Sequence, residues 1–221
     1  MKNKNNFWKK PRNISIVIDN PSWIWPYIPK FCDELILLGD KVKTFKNYED
    51  IPNGDIAIFL SCINIAPETI LKKNIKNLVV HESDLPKGRG FSPLTWQILE
   101  LKSKISICLI EMDAKVDAGL ILLKKEMHFK GDELLNEIRC IQAKYTFDLC
   151  KTYLKASRPK IGVSQIGNPT YYRKRNQKDS KIDPNKTIIE QFNLLRVVDN
   201  EKYPAFFEVH GKKYILNIKK G

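Results

Sequence analysis

The sequence predicts an α/β fold with a mostly parallel sheet, on three observations. Short runs of β-branched and apolar residues alternate with amphipathic stretches of helical period, the order that builds βαβ units. The apolar runs break off at polar loops, most clearly in residues 77–98, NLVVHESDLPKGRGFSPLTWQI, where Leu78, Val79 and Val80 stop at His81 and a loop rich in Pro, Gly and charge follows. The chain has 221 residues and 43% hydrophobic content, enough for one large domain or one domain with a small appendage. In open α/β sheets ligands collect at the carboxyl ends of strands, where the sheet holds freely varying loops rigid. His81 falls at such an end, and Asp117, in DAGLI (residues 117–121), marks a second strand-to-loop transition. A histidine and an aspartate so placed suit a general base and the group that orients it.

Residues 1–13 carry five basic residues and no acid and read as a solvated arm, with Trp8 the one hint of docking. Residues 14–18 predict a strand, and 19–27, DNPSWIWPY, a loop. The amphipathic stretch through Phe31, Leu35 and Leu38 predicts a helix ending at Gly39. Strands follow at 41–45 and 55–60, a short helix in PETILKKN from Pro67, and then the strand that delivers His81. Residues 96–101 read as helical, 105–110 as a strand and 120–129 as extended. A long helix begins at Gly131 and Asp132, keeps Leu134, Ile138, Ile141, Tyr145 and Leu149 on one face, and stops before Pro159. Gly, Ser and Pro mark 160–169 as a linker. Beyond it YYRKRNQKDSKID leads to a helical run over 187–198 and to strands at 205–209 and 213–218, joined at His210 and Gly211. The predicted organisation is a basic arm (1–13), a main domain (14–159), and a linker with a small C-terminal α+β subdomain (160–221).

A formal charge of +13 attracts phosphates, nucleic acid or anionic surfaces without choosing among them. Cys32, Cys62, Cys108, Cys140 and Cys150 form no CxxC pair and read as reduced, buried thiols. No apolar run approaches the roughly 18 residues of a membrane span, and the first residues lack a signal peptide's apolar region. A soluble cytoplasmic protein with no membrane partner is the expectation. Scattered histidines and unpaired cysteines predict no metal site, and no serine-nucleophile motif is present. His128 and His210 read as structural or exposed. Beside His81, in contrast, Glu82, Ser83 and Asp84 argue against a core role, and Lys87, Arg89 and Gly90 form a loop suited to an anion. At the basic cluster of Arg173, Lys174 and Arg175, Tyr171 and Tyr172 supply rings able to stack on a base while the cations meet phosphates.

HESDLPKGRGFSPLTWQI followed by VDAGLI resembles the folate-dependent N-formyltransferases. YYRKRNQKDSKIDPNKTIIEQFNLLRVVDNEKYPAFF is similar to the segment after the catalytic domain in their nucleotide-sugar and methionyl-tRNA branches, so the resemblance spans most of the chain after Asp55. It implies a Rossmann-like formyltransferase domain, a transferase moving a formyl group from N10-formyltetrahydrofolate to a primary amine. By resemblance His81 takes a proton from the attacking amine, passes it on and stabilises the oxyanion, while Asp117 holds the ring. Ser83, Leu85, Pro86 and Val116 are implied as the cofactor-binding residues. The family pattern has an asparagine two residues before the histidine, donating to the oxyanion; here that place holds Val79. Loss of one such donor typically costs about 100- to 1000-fold in rate. Asn64 and Asn77 are near in sequence, and neither occupies the matching place.

The transfer-RNA branch appends a sizeable barrel, whereas about 50 to 60 residues follow the linker here, close to the lower limit of an autonomous module. The resemblance is therefore to the nucleotide-sugar branch, with dTDP-4-amino-4,6-dideoxyglucose as the acceptor in lipopolysaccharide O-antigen biosynthesis. On that reading Lys87, Arg89, Arg173 or Arg175 meets the pyrophosphate, Tyr172 lies against the base, and Asn20, Ser22, Trp23 and Trp25 line the sugar. No nucleic-acid partner is expected. Family members often pair through the C-terminal portion, and a homodimer would use the apolar face of Ile188, Phe192, Leu195, Phe206 and Tyr214, unless that face packs on its own domain. Two alternatives stay open: a methionyl-tRNA formyltransferase-like, RNA-directed enzyme, which the charge suits, and a catalytically lapsed folate- or nucleotide-binding relative, which Val79 suits.

Overall fold

The computed structural model describes residues 10–113, 115–156 and 160–221. The basic arm through Lys9, with Trp8, and the helix stop expected at Pro159 lie outside the described residues. In chain order, β1 (Asn13–Val17) is followed by α1 (Ile28–Leu37), β2 (Lys41–Phe45), β3 (Gly54–Phe59), the single-turn α2 (Glu68–Leu71) and β4 (Asn74–His81). Next come β5 (Arg89–Gly90), α3 (Pro93–Leu99), β6 (Lys104–Glu111), β7 (Ile121–His128) and the long α4 (Leu135–Lys155). The last third holds β8 (Tyr171–Tyr172), α5 (Phe192–Arg196), β9 (Ala205–Val209) and β10 (Lys212–Leu216).

Six strands form one sheet in the order β2-β1-β3-β4-β6-β7. The first four run parallel, so the loops after β1, β3 and β4 all leave at one edge. β6 and β7 are antiparallel to their neighbours, a mixed ending to a mostly parallel sheet. On one face the alternating residues Ile14, Ile16, Ile56, Ile58, Ile105, Ile107 and Leu109 are buried against α1 and α4. Phe31 of α1 stacks on Phe147 of α4 there, ring centroids 4.3 Å apart. The other face buries Val17, Ala57 and Phe59 with Tyr48, Ile51 and Ile70. It continues as a smaller cluster of Leu85, Cys108 and Ile110 joined by Val79 and Ile121.

Several sequence expectations need correction. Arg12, assigned to the solvated arm, is 1% exposed. Its guanidinium bonds Asp40 through Nε at 2.8 Å and Nη2 at 2.6 Å and donates to the Leu154 carbonyl at 3.0 Å, so it seals the end of α4. A buried charge needs such partners, and Asp40 and an α4 carbonyl supply them. α4 begins at Leu135 rather than at Gly131, because the Glu133 carboxylate turns back to accept from the Lys130 and Gly131 N–H groups. The helical run expected over 187–198 condenses to a 3-10 turn at Ile189–Gln191 and the five residues of α5. Arg196 from that run is buried and bonds Glu133, at 2.5 Å to the carboxylate and 2.9 Å to the carbonyl, which docks the C-terminal segment on the entry to α4. Burial pushes Glu133 up, but the Lys130 and Gly131 N–H groups and the Arg196 charge hold it below the usual carboxylate range. The apolar face expected at the C-terminus divides: Leu195 and Phe206 are buried within the chain, and Ile188 and Tyr214 are exposed. Cys140 is exposed, unlike the buried thiols expected; all five cysteines are free.

Residues 160–169 are not a bare linker. Val163 forms an antiparallel bridge with Ile121, each N–H bonding the other's carbonyl at 2.9 Å. Gly162 lets the backbone come this close, since a Cβ there would meet the Leu120 Cβ at 2.5 Å. The strand then passes the loop after β4 and pairs with it in parallel, Arg89 with Tyr171 and Gly90 with Tyr172.

Candidate active site

His81 is the last residue of β4 and points to the face bearing Val79, Cys108 and Ile110, since alternate residues share a face. The register pairs His81 with Cys108 and Leu78 with Glu111, so the connection from β6 to β7 must return about 10 Å along β4 to reach the histidine. It does so. Asp117 adopts φ of +52°, left-handed backbone, and its Oδ1 lies 3.5 Å from His81 Nδ1. Both side chains are close to buried, at 7% and 12% exposure. The other carboxylate oxygen accepts from the Gly90 N–H at 2.9 Å. The ring's second nitrogen, Nε2, lies 2.8 Å from the Gly88 carbonyl. An oxygen therefore faces each ring nitrogen.

The loop of residues 82–90 is held from several sides. Gln97 of α3 donates to the Glu82 carbonyl and Gln142 of α4 to its carboxylate, each at 2.7 Å. Burial pushes the Glu82 carboxyl up, against the opposing effects of His81 and Gln142. Gly88 has φ of +72° and donates to Thr170 Oγ1 at 2.8 Å. A Cβ on Gly88 would meet Tyr172 Cε2 at 2.9 Å, and one on Gly90 the Tyr172 carbonyl oxygen at 2.5 Å. These two glycines permit the close approach of residues 170–172, which no local pattern in the sequence specifies.

Of the residues expected on the cofactor side, Ser83, Leu85 and Pro86 lie buried in this loop, and Val116 is exposed beside Asp117. Among the described residues the Ser83 hydroxyl, two positions after His81, is buried without a hydrogen-bond partner. Of those expected to hold the acceptor, Lys87 is exposed in the loop, and Arg89 bonds Gln165. Tyr172 donates to the Glu100 carboxylate at 2.8 Å and its ring lies along Trp96, so its hydroxyl is committed. Arg173 lies over Trp96 and pairs with Asp179; Arg175 bonds the Asp179 carbonyl at 3.1 Å. Asn20 bonds Asp19 and the Ser61 carbonyl, and Trp25 bonds the Asn20 carbonyl. Asp19 in turn accepts from the Ile63 and Asn64 N–H groups, tying the loops after β1 and β3 together. Trp23 packs against the core and contacts Tyr27 edge-on, with Ser22 half-buried beside it. Trp25 lines a cavity of about 520 Å³ between α1 and the edge strand β2, three strand positions from β4. The structure thus brings His81, Asp117, Ser83 and Arg89 together and leaves Trp25 outside that group. His128 is exposed beside Glu126, and His210 sits in the exposed turn between β9 and β10. Among the described residues no cluster of His, Cys, Asp and Glu fits a metal, and no helix is long and apolar enough to cross a membrane.

Val79 packs in the cluster of Leu85, Cys108 and Ile110 and offers no donor. Asn64 donates its amide to Asp19 and Asn77 to the Leu71 carbonyl, so neither replaces one.

No family model matches the chain. A curated relative, methionyl-tRNA formyltransferase of Rickettsia typhi, is 32% identical over 153 residues, 68% of this chain and 47% of that protein. The methionyl-tRNA formyltransferase structure from Clostridium thermocellum superposes with a TM-score of 0.79 at 25% identity, over 93% of this chain and 92% of that one. The chain is related to the formyltransferases in sequence and in fold. It spans less than half the length of the curated relatives that it matches. The formyltransferase fold is shared with a 4-N formyltransferase from Francisella tularensis, TM-score 0.70 at 18% identity, over 94% of this chain and 97% of that one. It is shared as well with HypX from Aquifex aeolicus, solved in complex with tetrahydrofolic acid, TM-score 0.75 at 15% identity, over 95% of this chain and 38% of that one.

Proposed function

We propose that this formyltransferase-related chain transfers a formyl group from N10-formyltetrahydrofolate to the amine of a nucleotide-linked amino sugar, dTDP-4-amino-4,6-dideoxyglucose, for surface glycan synthesis. The pairing of His81 with Asp117 in a nearly buried site carries the reading. The Ser83 hydroxyl, unpartnered among the described residues, with Leu85 and Pro86, fits a folate with polar and flat apolar parts. When bound, the folate supplies the formyl group. An attacking amine must shed a proton, and His81 is the group positioned to take it. Asp117 fixes the ring through Nδ1 and leaves Nε2 for the amine once the Gly88 carbonyl gives way. Lys87 and Arg89, in the loop that closes the site, are the cations set to meet a pyrophosphate; Arg173 and Arg175 are taken by Asp179. A homodimer belongs to this reading, with exposed Ile188, Tyr214 and Ile215 as its surface.

The fold, shared with a sugar N-formyltransferase from Shewanella as well as with the Francisella protein, is compatible with the sugar acceptor. A second reading, methionyl-tRNA as acceptor, draws on the higher identity to the Rickettsia and Clostridium proteins and on the charge of +13. A third, a folate-binding relative without turnover, draws on Val79 in its apolar cluster. Formyl transfer measured with the sugar and with charged initiator tRNA separates all three. Turnover on the sugar alone supports the first, on the tRNA the second, and folate binding without turnover the third.

A further inference from the structure

Gln165 lies in the segment that reads as a linker, and every hydrogen-bonding position of its amide is used. Oε1 accepts from Arg89 Nε at 3.2 Å and Nη2 at 2.6 Å. Nε2 donates to the Asp117 carbonyl at 2.8 Å and to the Gly119 carbonyl at 2.9 Å. A cation on one side and two carbonyls on the other fix which end of the amide faces which. One side chain thus joins the loop that follows His81 to the loop that carries Asp117. The Val163 to Ile121 bridge and the close contact of Gly162 with Leu120 anchor its backbone two and three residues away.

The position matters because Asp117 is held in left-handed backbone, which a non-glycine residue keeps only when its surroundings enforce it. Gln165 grips the carbonyl of Asp117 itself. We propose that Gln165 is a positioning residue for formyl transfer: it holds Asp117 in the orientation that reaches His81 Nδ1 and, through the same amide, aims the Arg89 guanidinium. The inference rests on the formyl-transfer reading for its kinetic consequence and on the hydrogen bonds alone for its structural one.

Gln165→Glu tests it. Glutamate keeps the size and strengthens the Arg89 contact, yet its second oxygen faces the Asp117 and Gly119 carbonyls with nothing to donate. A residue that merely packs, or merely pairs with Arg89, tolerates this exchange. The account predicts a fall in kcat of about 100-fold with the KM for the folate donor changed by less than about twofold, and no further loss when Gln165→Glu is added to Asp117→Asn. The His81 Nδ1 resonance in the ¹⁵N imidazole spectrum should move to its position in Asp117→Asn. Wild-type turnover with an unchanged kcat in Gln165→Glu overturns the role. If the wild type transfers no formyl group, the transfer reading fails, and the Nδ1 resonance alone decides: unmoved in Gln165→Glu, it overturns the clamp. Should Gln165→Glu not fold, Gln165→Met, close in size and without donors, is read in the same two ways.

Discussion

His81 Nδ1 lies 3.5 Å from one oxygen of Asp117, and the other oxygen of that carboxylate holds the Gly90 N–H at 2.9 Å. A single side chain therefore orients the imidazole and fastens the loop that the histidine launches. Asp117→Asn leaves an oxygen for Gly90 but removes the charge beside the ring. We expect kcat for formyl transfer to fall about 100- to 10,000-fold, the range for general acid–base groups, measured at saturating substrates. Hydrogen exchange at the Gly90 amide should stay near wild type, which separates lost chemistry from a lost loop.

Val79→Asn places a donor at the position where the resemblance implies an asparagine. If the oxyanion of the reaction forms there, kcat rises by up to about 100-fold, the lower end of what one such donor contributes. The amide also enters the cluster of Leu85, Cys108 and Ile110, so stability should fall by about 1–3 kcal/mol in urea titration. A stability loss with no rate gain would locate the oxyanion elsewhere.

Arg12 and Asp40 form a buried pair, with exposures of 1% and 0%. Arg12→Ala leaves the buried Asp40 carboxylate with the longer contact to Lys10 at 3.9 Å and removes the bond to the Leu154 carbonyl, and should cost about 3–5 kcal/mol by chemical denaturation. Arg12→Met combined with Asp40→Leu should cost much less, because no buried charge is left and Lys10, which also reaches Asp40, is partly exposed.

Asp179 is held down at about 2 by its bonds to Arg173 and the Asn176 N–H, against an ordinary value of 3.8. A depressed carboxylate stabilises the folded form fully above its unfolded value and loses that contribution as pH falls through its folded one. The stability gap between wild type and Asp179→Asn should therefore be constant from neutral pH to about 5 and close between about 4 and 2, by urea midpoints across pH. A gap independent of pH would remove the ion pair as its cause.

Much of the fold was legible because its signals are local and periodic. β1, β3, β4 and β6 are apolar runs, and α4 carries a long 3.6-residue stripe. Strand direction was not: an apolar run reads the same both ways, so nothing marked β6 as antiparallel to β4. At the site, His81 and Asp117 stood out by residue type and position. Gln165, Thr170 and Gly88 did not, because a contact with a distant backbone leaves no period in the sequence. Arg12 was misread for a related reason, since a basic residue among basic residues gives no sign that an aspartate 28 positions later will bury it. Arg173 and Arg175 look like phosphate ligands until Asp179, a few residues on, proves to be their partner.

The most direct measurement is formyl transfer from N10-formyltetrahydrofolate to dTDP-4-amino-4,6-dideoxyglucose by the wild-type chain, run beside His81→Ala. The account predicts turnover in the wild type and a loss of about 100-fold or more in the variant. No turnover in the wild type with this acceptor, or equal turnover in His81→Ala, would contradict it.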